Sequence, residues 1–438
     1  MTKFHLIGIK GSGMSSLAQV LHDMGYTVRG SDVETRFFTQ VPLEDRRIPI
    51  MPFSSENICK GWTAIVSNAF KDDHPEVEAC DRQGIPVWKY HHFLGEFLHG
   101  FTSIAVTGAH GKTSTTGLLS HVFKGIRPTS YLIGDGTGEG MPESRYFVFE
   151  ACEYRRHFLA YRPDYAVITN IDFDHPDYYR GLEDVTEAFR TMAGQVGRGI
   201  VACGDDSQIR TLNAKVPILH YGFGENNELR AVDVQTSGQG VSFEVLYKNQ
   251  TLGRFAVPMF GDHNVLNALA VIGICLLEDV RMDDVREQFL SFRGVKRRFS
   301  EKWINGNVII DDYAHHPTEI RATIQAVRAK YPKRRVVSVF QPHTYSRLET
   351  FIDDFASSLS QSDDIFLTHI FGSARENTGN ITIQTLKDRL PSSRLISEES
   401  IAQLGHYTDA VLLFMGAGDI QKYEASFENN VHLTPTID

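Results

Sequence analysis

Between the strand-like run Ser103–Thr107 and the helix-period stretch Thr113–Phe123 stands Gly108-Ala109-His110-Gly111-Lys112-Thr113-Ser114. Glycines let a backbone turn sharply and approach a ligand closely. The N–H groups that open the helix carry partial positive charge, Lys112 adds a full one, and the Thr113 hydroxyl is placed to hold Mg2+. The seven residues together suit the phosphates of ATP. The spacing departs from the general GxxxxGK[ST] form, because Val106 occupies the first glycine position.

A second Gly-rich turn, Gly8-Ile9-Lys10-Gly11-Ser12-Gly13-Met14, also joins a strand to a helix, and Ser31-Asp32 follows the next strand. Its GxxGxG order is not the GxGxxG of dinucleotide sites. Two readings stay open: a turn needed for packing, or a seat for a nucleotide diphosphate.

Further candidates stand at strand ends. Glu150 closes Tyr146–Phe149, and Tyr165–Ile171 runs into Asp172-Phe173-Asp174-His175. Ligands of open parallel sheets gather at the carboxyl ends of strands, so Glu150 and His175 are expected beside the phosphate loop. A carboxylate and an imidazole there could hold a metal against ATP phosphates, although an isolated histidine is as readily structural. Asn264 and Asn267, three apart on one helix face, could read an adenine edge or cap a helix. Lys296-Arg297-Arg298 is either a solvated run or a source of one arginine for a transferring phosphoryl group. Asp311-Asp312-Tyr313-Ala314-His315-His316-Pro317-Thr318 and Gln341-Pro342-His343-Thr344-Tyr345-Ser346-Arg347 repeat the strand-to-helix setting. Histidines and an arginine there suit a carboxylate or an amine, which points to a second substrate. No Ser/His/Asp order, nucleophile elbow or HExxH helix supports a hydrolase or zinc peptidase.

The elements that must carry these residues alternate strand and helix throughout, the rhythm of doubly wound parallel sheets. At roughly 150 residues per domain, 438 residues imply about three domains, placed at 1–98, 99–298 and 299–438. The first has strands at Phe4–Ile9 and Val87–Tyr90 and helices at Met14–Met24 and Glu76–Gln83. Ala231–Pro258 changes to short alternating stretches broken by Gly238 and Gly240, read as antiparallel hairpins extending the second domain. In the third, strands Val308–Ile310, Val336–Phe340, Ile365–Thr368 and Val411–Phe414 alternate with helices Pro317–Lys330, Arg347–Leu359 and Ile383–Leu390. A formal charge of −10 argues against a polyanionic nucleic-acid partner. The longest apolar run, Ala268–Leu277, is too short to cross a bilayer, and no apolar leader opens the chain, so a cytoplasmic location is expected. The five cysteines are scattered without a CxxC pair and read as plain thiols.

The blocks GIKGSGMSSLAQ, TGAHGKTSTT, FEACEYRRHF, TNIDFDHPDYY, FGDHNVLNALAV, GVKRRF, DDYAHHPTEI, FQPHTYSR and LFMGAGDI occur in order along essentially the whole chain. Together they resemble the Mur ligases, and within that family the branch that joins L-alanine to UDP-N-acetylmuramate. The alternatives are a ligase that recycles a murein tripeptide, another Mur ligase, or a nucleotide-binding switch without catalysis. The resemblance implies an N-terminal Rossmann-like domain binding the UDP-sugar through Gly11, Ser12, Gly13, Met14, Ser31 and Asp32. A central ATPase domain and a C-terminal Rossmann-like domain for the amino acid would follow. It further implies that Lys112 binds phosphates, that Thr113, Glu150 and His175 surround Mg2+, and that Asn264 and Asn267 face adenine. Arg298 would reach the phosphates, Asp312 and Tyr313 would seat the nucleotide, and His315, His343 and Arg347 would surround the new amide and the alanine carboxylate. Lys112, Glu150, His175, Arg298 and His315 form the implied catalytic set. Two departures stand out: no lysine occurs between Lys124 and Lys215 to be carbamylated, as some relatives require, and Thr344 replaces an arginine found in many.

Overall fold

Four successive residues of the strand Lys3–Ile7 are buried, as a parallel strand covered on both faces requires. Alternate side chains go to opposite faces. Leu6 and Ile65 join the cluster beneath the helix Ser12–Asp23, whereas Ile7, Ala64 and Val66 join Val77 and Cys80 of the helix Pro75–Gln83. The sheet they belong to is parallel, in the order Ile50–Pro52, Thr27–Asp32, Lys3–Ile7, Thr63–Val66, Val87–Lys89. The order reverses beside Lys3–Ile7, so the turn Gly8–Met14 opens at the switch point where such sheets bind ligands. The computed structural model describes residues 2–372, 376 and 378–433, with side chains as far as Asn430.

Among the described residues, ten strands form the central sheet. Thr102–Thr107 runs between Tyr146–Glu150 on one side and Tyr165–Ile168 on the other, all parallel. The phosphate loop, Glu150 and the run Asp172–His175 therefore emerge at the same sheet edge. The expected hairpins are the antiparallel strands Leu229–Ser237, Gly240–Tyr247 and Gln250–Val257. They continue the main sheet, because Leu229–Ser237 pairs in parallel with Ile218–Gly222. The first and central sheets share one apolar core, and Ser16 and Gln19 cross between them, donating to the carbonyls of Ile133 at 3.0 Å and Gly136 at 2.8 Å.

Among the described residues the C-terminal sheet has the order Ser300–Ile304, Asn307–Asp312, Ala410–Met415, Arg335–Phe340, Asp364–Leu367, Arg394–Leu395, with only the first pair antiparallel. Separate clusters cover its two faces. The helix expected at Arg347–Leu359 is two helices, Tyr345–Thr350 and Ile352–Leu359, broken where Phe351 takes φ −117°. Pro317–Lys330 runs as expected, with proline at its first turn and the His316 ring accepting from Thr318 N at 3.3 Å. Among the described residues no helix is long and apolar enough to cross a membrane.

Candidate active site

The phosphate loop is fixed to the neighbouring strand end by its backbone. Ala109 N donates to the Asn170 carbonyl at 3.1 Å, His110 N to Asn170 Oδ1 at 2.8 Å, and the His110 carbonyl accepts from Thr169 Oγ1 at 2.6 Å. Gly108 has φ +138°, and a Cβ there would fall 2.0 Å from Thr169 Oγ1, so this turn admits only glycine. Gly111 caps the helix Lys112–Ile126 without a side-chain partner, leaving the first N–H groups of that helix facing outward.

Lys112 folds back over this loop. Its Nζ donates to the Gly108 carbonyl at 2.6 Å and the Ala109 carbonyl at 2.9 Å, and pairs with Glu153 at 2.9 Å. Burial works against the charge, but Glu153 outweighs it and holds the ammonium above its ordinary pKa. Glu153, three residues past Glu150, was not singled out in the sequence. Burial alone would raise its carboxyl, yet Lys112 and His175 keep it below the usual range. The only signal was its place in the strand-end run Glu150–Glu153.

The three residues expected around a metal are partly assembled. Thr113 Oγ1 donates to Glu150 Oε2 at 2.8 Å, and the same oxygen accepts from Gly134 N at 3.1 Å. His175 approaches through Glu153, with Nε2 3.6 Å from Glu153 Oε1, and its buried Nδ1 has no hydrogen-bond partner. Its backbone takes φ +58°, a left-handed conformation rare outside glycine and asparagine and often found at functional sites. The Thr113 hydroxyl and Glu150 carboxylate offer the oxygen donors that Mg2+ takes, and His175 adds an orphaned imidazole nitrogen from the neighbouring strand end. Burial raises the Glu150 carboxyl, with Lys112 partly opposing. His110, Asp172 and His316 also bring ligand-type atoms within 4.8 Å of one another, with His110 Nε2 at hydrogen-bond distance, 2.9 Å, from Asp172 Oδ2.

On the other side of the loop opens a cavity of about 810 Å3, lined by Gly111 and Ser114, Asn264 and Asn267, Arg298, Asp312, and the apolar Tyr221, Phe260 and Phe299. That volume and lining suit a nucleoside. The two asparagines are bonded to each other, Asn267 Nδ2 donating to Asn264 Oδ1 at 3.1 Å, and Asn267 Oδ1 accepts from Thr115 at 2.9 Å. They thus fasten their helix to the loop helix as well as facing the cavity. Asp312 accepts from Phe299 N at 2.9 Å and Ala314 N at 2.8 Å, and burial pushes its carboxyl up to about 6. The Arg298 guanidinium lies 5.1 Å from the Tyr313 ring and 3.5 Å from Glu319.

The C-terminal candidates converge but are not vacant. Arg347 Nη1 is 3.1 Å from His343 Nδ1, and Arg347 Nε donates to Asp174 Oδ1 at 2.9 Å. His315 Nδ1 is 3.0 Å from Glu319 Oε2, and burial lowers its pKa, which favours the neutral ring. Asp174 and Glu319, like Glu153, were missed as site residues because their partners are remote in sequence. Thr344, beside His343, holds φ +69°, an outlier for a β-branched residue.

The N-terminal turn is built tightly. Gly8 has φ +82°, and a Cβ there would meet Phe70 at 2.5 Å. Asp32 ties the turn shut, accepting from Lys10 N at 2.7 Å and from Val33 N at 2.8 Å. Gly11 is exposed and Ser12 and Gly13 are half-buried, but Met14 and Ser31 face inward. The Ser31 hydroxyl donates to buried Glu76, so only its backbone borders the turn. Packing therefore accounts for Gly8, Met14 and the Ser31 side chain, while Gly11, Ser12 and Gly13 form the accessible part.

Three family profiles cover nearly the whole chain: "Mur ligase family, catalytic domain" over residues 3–102, "Mur ligase middle domain" over 106–275, and "Mur ligase, glutamate ligase domain" over 297–418. Among solved structures, the UDP-N-acetylmuramate-alanine ligase MurC of Thermotoga maritima is 27% identical, with a TM-score of 0.85 over 99% of both chains. A murein peptide ligase of Psychrobacter arcticus shares the fold at 23% identity, TM-score 0.76 and 100% of both chains. The MurF ligase of Thermotoga maritima, solved in complex with ADP, shares it at 17% identity and TM-score 0.65, over 92% of this chain and 95% of its own. This three-domain α/β chain belongs to the Mur ligase family, whose members are ATP-dependent amide-forming ligases.

Proposed function

We propose that the chain joins L-alanine to the lactyl carboxylate of UDP-N-acetylmuramate at the expense of ATP, with Mg2+, a step of peptidoglycan precursor synthesis. One observation carries this reading: His175, tied through Glu153 to Lys112 of the phosphate loop, is the chain neighbour of Asp174, which grips buried Arg347 of the C-terminal domain. A phosphoryl donor and an amino-acid carboxylate would then meet around the same few atoms. The likeness to the Thermotoga MurC across both full chains supports the choice of L-alanine.

A carboxylate acylates poorly because its leaving group would be oxide. Transfer of the ATP γ-phosphoryl to the lactyl carboxylate gives an acyl phosphate and ADP. The alanine amine then attacks the carbonyl carbon, the C–O bond to phosphate breaks, and an amide, inorganic phosphate and a proton result. In this assignment Lys112 leaves the Gly108 and Ala109 carbonyls for the phosphates, and Arg298 approaches them from the hinge before the C-terminal domain. Thr113, Glu150 and His175 would hold Mg2+, which neutralises phosphate charge when bound. Asn264, Asn267, Asp312 and Tyr313 would seat the nucleoside in the 810 Å3 cavity. Gly11, Ser12, Gly13 and the first N–H groups of their helix would take the UDP diphosphate, with Asp32 shaping the turn. His315, His343 and Arg347 would surround the alanine carboxylate and the new amide.

Mass analysis of the reaction tests this. UDP-N-acetylmuramate, L-alanine and ATP should give one product heavier by alanine less water, with one ADP and one phosphate per turnover. Absence of that product, with ATP hydrolysed alone, would contradict the assignment.

A further inference from the structure

The His110 backbone is locked to the central sheet, but its side chain leaves the phosphate loop and reaches the C-terminal domain. Nε2 lies 2.9 Å from Asp172 Oδ2, Nδ1 lies 3.6 Å from Glu319 Oε1, and the residue is 9% exposed. Glu319 is not a flexible partner. Its other oxygen accepts from the backbone N–H groups of His315 at 3.0 Å and His316 at 3.3 Å, so it moves only with the first turn of the helix Pro317–Lys330. Asp172 Oδ2 accepts a second bond across the same boundary, from Thr318 Oγ1 at 3.0 Å. One imidazole thus stands between two carboxylates, one from each domain.

We propose that the His110 side chain is a positioning residue that fastens the phosphate loop to the C-terminal domain, so that the loop and the C-terminal binding surface close as one unit. Its kinetic consequence rests on the ligase reading; the closure itself does not. Two observations support the charge it needs. Burial opposes the imidazolium, yet the bond to Asp172 and the nearby Glu319 carboxylate outweigh it and lift His110 to about 9. The nearest other imidazole, His316 at 4.6 Å between ring centroids, is driven by burial down to about 4 and stays neutral. Glu319 also faces Arg298 at 3.5 Å and His315 Nδ1 at 3.0 Å, so His110 shares its carboxylate with both. When the C-terminal domain swings away, His110 keeps Asp172 and loses Glu319. Among the described residues, of the contacts that cross this boundary from His110, Asp172 and Asp174, only the ion pair from His110 starts on the phosphate loop.

The experiment is a double-mutant cycle on the full chain with His110→Gln, Glu319→Gln and the pair, read by small-angle scattering at neutral pH and by kinetics. The expected result is a larger radius of gyration for His110→Gln, and a Michaelis constant for the amino acid raised roughly tenfold in each single variant. The double variant should be no more than about threefold worse than the poorer single one. Unchanged scattering, or losses that multiply in the double variant, would overturn the proposal. Glu319 also caps its helix, so if Glu319→Gln does not fold, the scattering of His110→Gln against the parent chain decides alone. A chain with no amino-acid-dependent turnover fails the ligase reading, and the scattering comparison still decides whether His110 holds the domains together.

Discussion

Arg347 Nε donates to Asp174 Oδ1 at 2.9 Å across the boundary between the C-terminal and central sheets, and both side chains are almost wholly inaccessible, at 2% and 6% exposure. The guanidinium proposed to receive the alanine carboxylate already holds a carboxylate, next to the imidazole proposed to face the metal. An arriving amino acid must displace Asp174 or share the fork with it. Burial and Arg347 act in opposite directions on Asp174; the arginine prevails and keeps its carboxyl well below the ordinary range.

Removing one partner of a buried pair strands the other charge. Asp174→Asn should therefore cost roughly 3–5 kcal/mol of stability, measured by urea unfolding. A loss under about 1 kcal/mol would mean that the pair behaves like a solvated surface bridge.

The fork geometry gives a kinetic counterpart. Arg347→Lys keeps the charge but loses the paired donors, and should raise the Michaelis constant for L-alanine roughly tenfold or more while leaving that for ATP little changed. A changed ATP constant with an unchanged alanine constant would move the amino-acid site elsewhere in the C-terminal domain.

Which parts of this arrangement were legible in the sequence follows from how local each signal is. The helix Pro317–Lys330 has proline at its first position and Glu319 at capping-box spacing from His316, and it was read to the residue. The phosphate loop was legible because glycine, lysine, threonine and a strand all fall within a dozen positions. The strands Ile50–Pro52 and Arg394–Leu395 were not, being too short to show a period. The helices Met282–Ser291 and Ile420–Leu433 also went unread. The ion pairs were least legible: Arg347 and Asp174 are 173 residues apart, and nothing in either motif names the other. The same holds for Glu153, visible only as a second carboxylate, and for the Ser31 hydroxyl, which turns inward to Glu76.

Glu150→Ala and His175→Ala should each lower turnover at least about a hundredfold, or about 2.7 kcal/mol at the transition state, with the fold intact by circular dichroism. Near-normal rates at saturating Mg2+ for either variant would return that residue to a structural role. Glu153→Gln should weaken nucleotide binding less than turnover, since it frees Lys112 but loosens His175.

Raising the pH should open the boundary at His110. Its folded-state pKa of about 9 lies above the ordinary histidine value of roughly 6.5, so its contribution is complete below the ordinary value and is lost as pH rises through about 9. Asp172 has the opposite sign. Burial would raise it, the His110 bond lowers it to about 2, and its share is lost only as pH falls through that value. The radius of gyration of the full chain should therefore grow between neutrality and about pH 9.5, and His110→Gln should remove that growth. A flat profile in both chains would exclude His110 as the group responsible.

The most direct measurement is the initial rate of ADP release with ATP, Mg2+ and UDP-N-acetylmuramate, with no amino acid, with L-alanine, with other amino acids, and with a murein tripeptide. The account requires rapid release with L-alanine, because the acyl phosphate forms only on the bound carboxylate and is discharged by that amine. Equal release from ATP alone, or a clear preference for the tripeptide, would contradict it.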